Sequence, residues 1–239
     1  MSTISPPRRD GPRGASGAKL IKIFIFADAF MVKAIFFDMG GVLIDLYLDR
    51  CADAFYNVAG LKQIRSILDP WHQRGFLNDA ENGTLDYDGY MKECLSLCKP
   101  GTTVETILYC QRQFFGEPSP KSINCVRRLS GEYELFLLSN NNAVSMSVLR
   151  PLFEEAGLPL DSSFKKLFLS YEMHLLKPSE AIYLKAIEES GHEPGEILFV
   201  DDSQANLDAA AKLGINTVLY STGDDLGALL DAALARLAR

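Results

Sequence analysis

Four apolar runs of this 239-residue chain end in, or lead quickly to, side chains able to do chemistry. KAIFFD ends in Asp38 with Met-Gly-Gly behind it. YELFLLS ends in Ser139, followed by Asn140 and Asn141. EILFVDD ends in Asp201 and Asp202, and the loop after KKLFLS carries Lys177 ahead of Pro178. Carboxylates are hard oxygen donors for a divalent cation such as Mg2+ and can attack an electrophile. A hydroxyl, amides and an ammonium are groups that bind a phosphoryl dianion and offset its charge. Each feature alone has an ordinary alternative: the aspartates can cap the following helix, Ser-Asn-Asn can be a plain loop, and a single lysine can be solvated surface. They make a site only if the fold brings the four together.

The elements that would do so follow from hydrophobic patterning. Runs at 33–38, 133–139, 165–170, 196–202 and 215–220 are short, apolar and separated by helical patterns, as in a parallel sheet covered on both faces. Helices are expected over 142–156, with a kink at Pro151, and over 178–190, 203–213 and 224–238, with Pro178 in a first turn and Gly157, Gly191 and Gly214 as stops. This alternation predicts a doubly wound α/β fold, in which ligands sit beyond the carboxyl ends of the strands. All four groups belong at that edge. Between Asp38 and Ser139 lies far more chain than one crossover needs. Helical spacing over 48–60, 61–69, 85–98 and 102–115 makes it an inserted helical cap, spanning 46–118, over a core of 31–45 and 119–239. Residues 120–130 read as the crossover helix that re-enters the sheet.

In order and context, FFDMGGVL, LFLLSN, the LLKP lysine and LFVDDSQANLDAA resemble the four motifs of the haloacid dehalogenase-like (HAD) hydrolase superfamily, over about residues 32–222. The insert is similar to that family's C1-type cap, and the core would then be Rossmann-like. The resemblance implies a phosphatase of small phosphorylated metabolites, sugar phosphates foremost. Asp38 would be the nucleophile, forming an aspartyl-phosphate. Asp38, the Gly40 carbonyl and Asp202 would hold Mg2+, with Asp201 and Asn206 in support. Ser139, Asn140 and Lys177 would hold the phosphoryl group.

The chain departs from that pattern at one position. The family's phosphatases usually carry a second aspartate two residues after the nucleophile, as acid and base; here that residue is Gly40. Such a group is typically worth about 10²–10⁴ in rate. Asp45 in the following flap, His174 ahead of the lysine, and His72 or Arg74 in the cap are candidate replacements, or the leaving oxygen is acidic enough to need none. The Asp-x-Gly form is similar to a subgroup that includes phosphatases of α-D-glucose 1-phosphate. Two other readings stay open: a 2-haloacid dehalogenase using the same aspartate on carbon, and a binding protein that kept the fold without the catalysis.

Composition bounds the partners. With 24 Lys+Arg against 31 Asp+Glu the net charge is −7, so no broad basic footprint for nucleic acid exists. No stretch reaches the ~18 apolar residues of a membrane span. Five cysteines without Cys-x-x-Cys spacing read as small core residues of a reducing, cytoplasmic compartment, and the Cys94/Cys98 pair lacks the second pair a zinc site needs. A monomer or homodimer is expected. Residues 1–19 are rich in Pro, Gly, Ser and Arg and read as disordered. The run IKIFIFADAF that follows is a near-copy of VKAIFFDMGG, but only Asp38 is followed by glycines that let backbone approach a ligand. Residues 1–30 are therefore expected to be an extension or a mis-assigned start, with the domain opening at Met31.

Overall fold

The computed structural model describes residues 31–69 and 73–238, so the reading of 1–30 and the candidate His72 lie outside the described residues. Five strands, β1 (Ala34–Phe37), β2 (Glu134–Ser139), β3 (Lys166–Leu169), β4 (Ile197–Asp201) and β5 (Asn216–Leu219), form one sheet in the order β3-β2-β1-β4-β5. Every neighbouring pair is parallel. This is the α/β Rossmann-like architecture expected from the alternation.

The period of two along each strand sorts the apolar residues onto two cores. Ile35, Phe37, Leu135, Leu137, Leu198 and Val200 face one side, against helices Pro120–Leu129, Ala143–Glu155 and Leu226–Leu237. Ala34, Phe36, Phe136, Leu138, Ile197 and Phe199 face the other, against Glu180–Ser190 and Gln204–Ala211. Burial on both faces is why these strands read as unbroken apolar runs. Helix Ala143–Glu155 is capped by the Asn142 side chain, which accepts from the Ser145 N–H, and it continues through Pro151.

β1 lies between β2 and β4, with Phe37 in register with Leu137 on one side and Val200 on the other. One residue further on, Asp38 therefore stands beside Asp201, its own N–H donating to the Val200 carbonyl at 2.9 Å. Hydrogen-bond register thus places the two carboxylates as neighbours.

The insert between β1 and β2 is helical and has its own apolar cluster, built from Phe55, Leu61, Phe76, Tyr90, Cys94 and Ile107 among others, with Val144 joining from the core. Its elements differ from the periodicity in two places. Helix Leu48–Ala54 continues as one π-helical turn to Ala59 and stops at Gly60, whose left-handed φ of 73° ends it; the expected helix at 61–69 shrinks to the single turn Ile64–Ile67. A helix absent from the sequence reading, Phe76–Glu81, forms instead, because Phe76, Leu77 and Ala80 share a face buried in the cap cluster. Tyr87–Leu97 and Val104–Arg112 fall within the expected 85–98 and 102–115. Two further single turns, Leu160–Ser163 and Ser170–Met173, lie in loops the periodicity left irregular.

Cys51, Cys94 and Cys110 are part of the cap core. Burial pushes the Cys51 thiol up to about 12 and the Cys110 thiol up to about 11, so they are inert packing groups. Among the described residues no helix is long and apolar enough to cross a membrane.

Candidate active site

At the carboxyl edge of the sheet, one buried lysine joins two of the strands. The Lys177 ammonium donates to Asp201 Oδ2 at 2.7 Å and to Asp38 Oδ1 at 3.0 Å, with its side chain 1% exposed. Its main chain is held as firmly: the Lys177 N–H donates to Asn140 Oδ1 at 2.8 Å, and the Asn140 amide donates back to the Lys177 carbonyl at 3.0 Å. The residue after β2 therefore clasps the loop that carries the lysine. Asp201 is fully buried and its oxygens are occupied, accepting from Lys177, from the Asn206 amide and from the Ser203 N–H. These contacts fix it against the lysine.

Asp38 and Asp202 have the freedom Asp201 lacks. Asp38 Oδ1 accepts from the Met39 N–H at 2.7 Å and from Lys177, which leaves Oδ2 without a donor among the described residues. Ligand oxygens of Asp38, Asp201 and Asp202 lie within 4.8 Å of one another, the group of this kind found among the described residues. Three carboxylates against one ammonium leave negative charge uncompensated. Burial pushes the Asp38 carboxyl up to about 7, against the pull of Lys177 and with the push of Asp201. Asp202 is raised as well, first by burial and then by Asp201. Burial by itself would lower Lys177, but Asp201 and Asp38 outweigh it and hold the ammonium above its ordinary value. A hard dication fits this donor set, since it would neutralise the excess charge and keep Asp38 ionised.

Above these groups is a cavity of about 430 Å³. The core supplies Asp38, Gly40, Ser139, Asn140, Lys177 and Asp202 to its wall, and the insert supplies Leu48, Gln73, Glu81 and Phe114. Hydrogen bonds tether insert to core: the Gln111 amide donates to Ser145 Oγ at 3.1 Å, Ser170 Oγ donates to the Glu81 carbonyl at 2.7 Å while accepting from the Asn141 N–H at 2.9 Å, and His174 Nδ1 lies 3.3 Å from the Asn82 carbonyl.

A family model for haloacid dehalogenase-like hydrolases matches residues 32–214, which spans both the cap and the whole of this constellation. The chain belongs to this hydrolase family. It is 35% identical over 196 residues to a D-ribitol-5-phosphate phosphatase of Bacteroides thetaiotaomicron, an alignment covering 82% of this chain and 95% of the relative. Among solved structures, a predicted HAD-like family hydrolase of Porphyromonas gingivalis superposes with a TM-score of 0.76 at 33% identity, over 87% of this chain and 98% of that one. A HAD family enzyme of B. thetaiotaomicron, in complex with magnesium and inorganic phosphate, superposes with a TM-score of 0.78 at 26% identity, over 83% of this chain and 98% of that one.

For this HAD-like hydrolase, the structure gathers Asp38, Gly40, Ser139, Asn140, Lys177, Asp202 and Asn206 around one cavity, with Asp201 buried beneath. The Asn140 side chain is committed to the Lys177 main chain, so what it can offer a ligand is backbone. The proposed substitutes for the missing acid go elsewhere. Asp45 is exposed beside the Tyr47 hydroxyl, Arg74 is exposed, and the His174 ring faces Asn82 in the cap; none of the three borders the cavity. Beside Gly40 sits the Leu46 side chain, whose Cδ1 would lie 2.8 Å from a Cβ there and would have to shift to admit one.

Sequence reasoning passed over Glu81. Burial alone pushes its carboxyl up to about 7, and no cation or hydrogen-bond donor among the described residues pulls it back. One signal was available: Glu81 lies four residues after Leu77, which puts an acid on the buried face of a short helix.

Gly41 gives the site a sharp steric test. Its φ is +77°, and a Cβ would fall 2.0 Å from Asp202 Oδ2. Gly41→Ala is therefore expected to displace the Asp202 carboxylate as well as to strain the backbone by about 1–2 kcal/mol. Isothermal titration with Mg2+ should show binding weakened at least about tenfold, given that ligand positions are sensitive to their support.

Proposed function

We propose that this hydrolase is a Mg2+-dependent phosphatase of small sugar or alditol phosphates, acting through an aspartyl-phosphate on Asp38. The observation that carries the reading is Lys177, buried between Asp38 and Asp201 on the floor of a cavity that Asp202 also borders. One carboxylate there is free to attack, while the ammonium is fixed where the charge of a phosphoryl group needs offsetting. Mg2+ held by Asp38, Asp202 and the Gly40 carbonyl would screen the dianion from its nucleophile.

In this reading Asp38 attacks the phosphorus from the sheet side, with Oδ1 fixed by Met39 and Lys177 and Oδ2 as the attacking oxygen. The Ser139 hydroxyl and the N–H groups of the loop around Asn140 receive phosphoryl oxygens, and Lys177 offsets charge as they are transferred. The cap closes the opposite side and limits water. Gln73, Glu81 and Ser145 line the cavity with groups that can bind hydroxyls, which supports a polyol substrate, as does the likeness to a ribitol-phosphate phosphatase. The dehalogenase reading is less well served. A 2-haloacid carries its own carboxylate, and among the described cap residues lining the cavity there is no cation to receive it.

The test is phosphate release from a panel of pentose, hexose and alditol phosphates by the full chain with Mg2+, then with EDTA, then with Mg2+ restored. Turnover that is lost on chelation and returns with Mg2+ is the expected result. Failure of every ester with Mg2+ present, or turnover indifferent to chelation, would overturn the proposal.

A further inference from the structure

The cavity contains an acid that neither the family motifs nor the metal cluster accounts for. Of the described residues lining it, the ionisable ones are Asp38, Lys177, Asp202 and Glu81. The first three form the charged cluster on the floor. Glu81 comes from the cap, at the last residue of helix Phe76–Glu81, and its backbone is fixed to the core through the Ser170 hydroxyl and on to Asn141. It is half-buried, lines the cavity, and its carboxyl is paired with no described protein group.

Phosphoryl transfer places nucleophile and leaving group roughly in line, on opposite sides of the phosphorus. With Asp38 on the sheet side, the leaving oxygen must face the cap. Among the described residues the insert supplies Leu46, Leu48, Gln73, Glu81, Phe114 and Phe115 there, and of these Glu81 alone carries a transferable proton. Position 40 itself carries no side chain, and the tip of Leu46 lies where its Cβ would come, 2.8 Å away. Resting on the phosphatase reading, we propose that Glu81 is the general acid that protonates the leaving oxygen, and then the general base for the second step, replacing from the cap the carboxyl that Gly40 lacks.

The proton balance closes over the two steps. As the Asp38 Oδ2–phosphorus bond forms, the phosphorus–oxygen ester bond breaks, its electron pair stays on the leaving oxygen, and that oxygen takes the Glu81 proton. Water then attacks the aspartyl-phosphate, gives a proton to the Glu81 carboxylate, and the acyl-phosphate bond breaks with its electron pair returning to Asp38. The burial that favours a protonated Glu81 suits the first step. The titratable groups around it are Tyr90 in the cap and Asp38, Asp202 and Lys177 across the cavity.

The test uses two substrates for wild type and Glu81→Gln. One is the best alditol or sugar phosphate from the panel, whose alkoxide needs a proton. The other is p-nitrophenyl phosphate, whose phenolate leaves without one. In the first turnover, followed by rapid quench as release of the leaving alcohol or phenol, the variant should lose about 10²–10⁴-fold in rate on the first substrate and only a few-fold on the second, and the alkaline limb of the wild-type first-turnover profile on the first should disappear. Steady-state kcat should fall on both, because the water step they share uses the same base. Glu81→Ala provides a second variant with the same expectation, and matched melting curves show that each is folded. An unchanged first-turnover rate on the alkyl ester, a raised KM alone, or equal losses of that first-turnover rate on both substrates would overturn the assignment. Inactivity of the wild type on every ester would instead sink the phosphatase reading beneath it.

Discussion

Asp38→Asn should reduce phosphate release by at least about 10⁴-fold, the scale on which removing a covalent nucleophile acts, while the protein remains folded. The amide keeps the shape of the side chain and its oxygen can still accept from the Met39 N–H, which donates to Oδ1 at 2.7 Å in the parent. Lys177 stays paired with Asp201 at 2.7 Å. One negative charge also leaves a cluster of three carboxylates crowded within 4.8 Å, so the melting temperature should be equal to or above that of the parent. Steady-state phosphate release and a thermal melt decide the matter. Retention of a tenth or more of the activity would remove Asp38 from its role, and a collapsed melt would show that the loss was structural.

Lys177→Met should act on both stability and rate. It leaves Asp201, which is 0% exposed, without its cation. Breaking a buried ion pair from one side typically costs about 3–5 kcal/mol, which for an ordered region of this size lowers the melting temperature by roughly 10 °C. Activity should fall by about 10²–10³-fold or more, as when one preorganised charge-stabilising donor is lost. Separating the two effects needs a second substitution. In Lys177→Met with Asp201→Asn, the fully buried charge is gone and the Asp38 carboxyl, which borders the cavity, is the one left without its cation, so much of the stability should return and none of the activity. If the double variant regained activity along with stability, Lys177 would be a structural strut rather than part of the chemistry.

These two predictions concern residues that the sequence exposes well, and the reason is physical. A parallel strand buried on both faces must be apolar throughout, so a polar residue can enter only where the strand ends. Asp38, Ser139 and Asp201–Asp202 therefore announce themselves as the first chemistry after β1, β2 and β4. Which of the two adjacent aspartates does what was less legible. In the structure Asp201 is turned inward under Lys177, Asn206 and Ser203, and Asp202 is left at the cavity. Neighbours on a strand end point to opposite sides, and only the packing says which side is which. Asn140 is a similar case. Its place after β2 marked it for the site, but its side chain spends its hydrogen bonds on the main chain of Lys177, a partner brought near by β3 lying next to β2.

The cap resisted sequence reading more strongly. Its helices are short, one begins with a single apolar pair, and its irregular turns carry no fixed period, so neither the π-helical turn at Phe55–Ala59 nor the helix Phe76–Glu81 followed from spacing. The consequence was functional. Chemical type pointed to Asp45, His174 and Arg74 as stand-ins for the missing acid, yet the flap and the cap turn these away from the cavity and bring Glu81 into it.

By itself, then, the sequence determined the α/β class, the strand-end residues and the departure at Gly40, because all three follow from local pattern: apolar runs, what interrupts them, and the residue two places after Asp38. Tertiary structure alone decided that Asp201 holds Lys177, that the tip of Leu46 lies beside Gly40, and that Glu81 of the cap lines the same cavity as Asp38 and Lys177. Those facts depend on which side chains meet across the chain, and contacts between distant residues are set by packing the cap on the sheet, which no local period encodes.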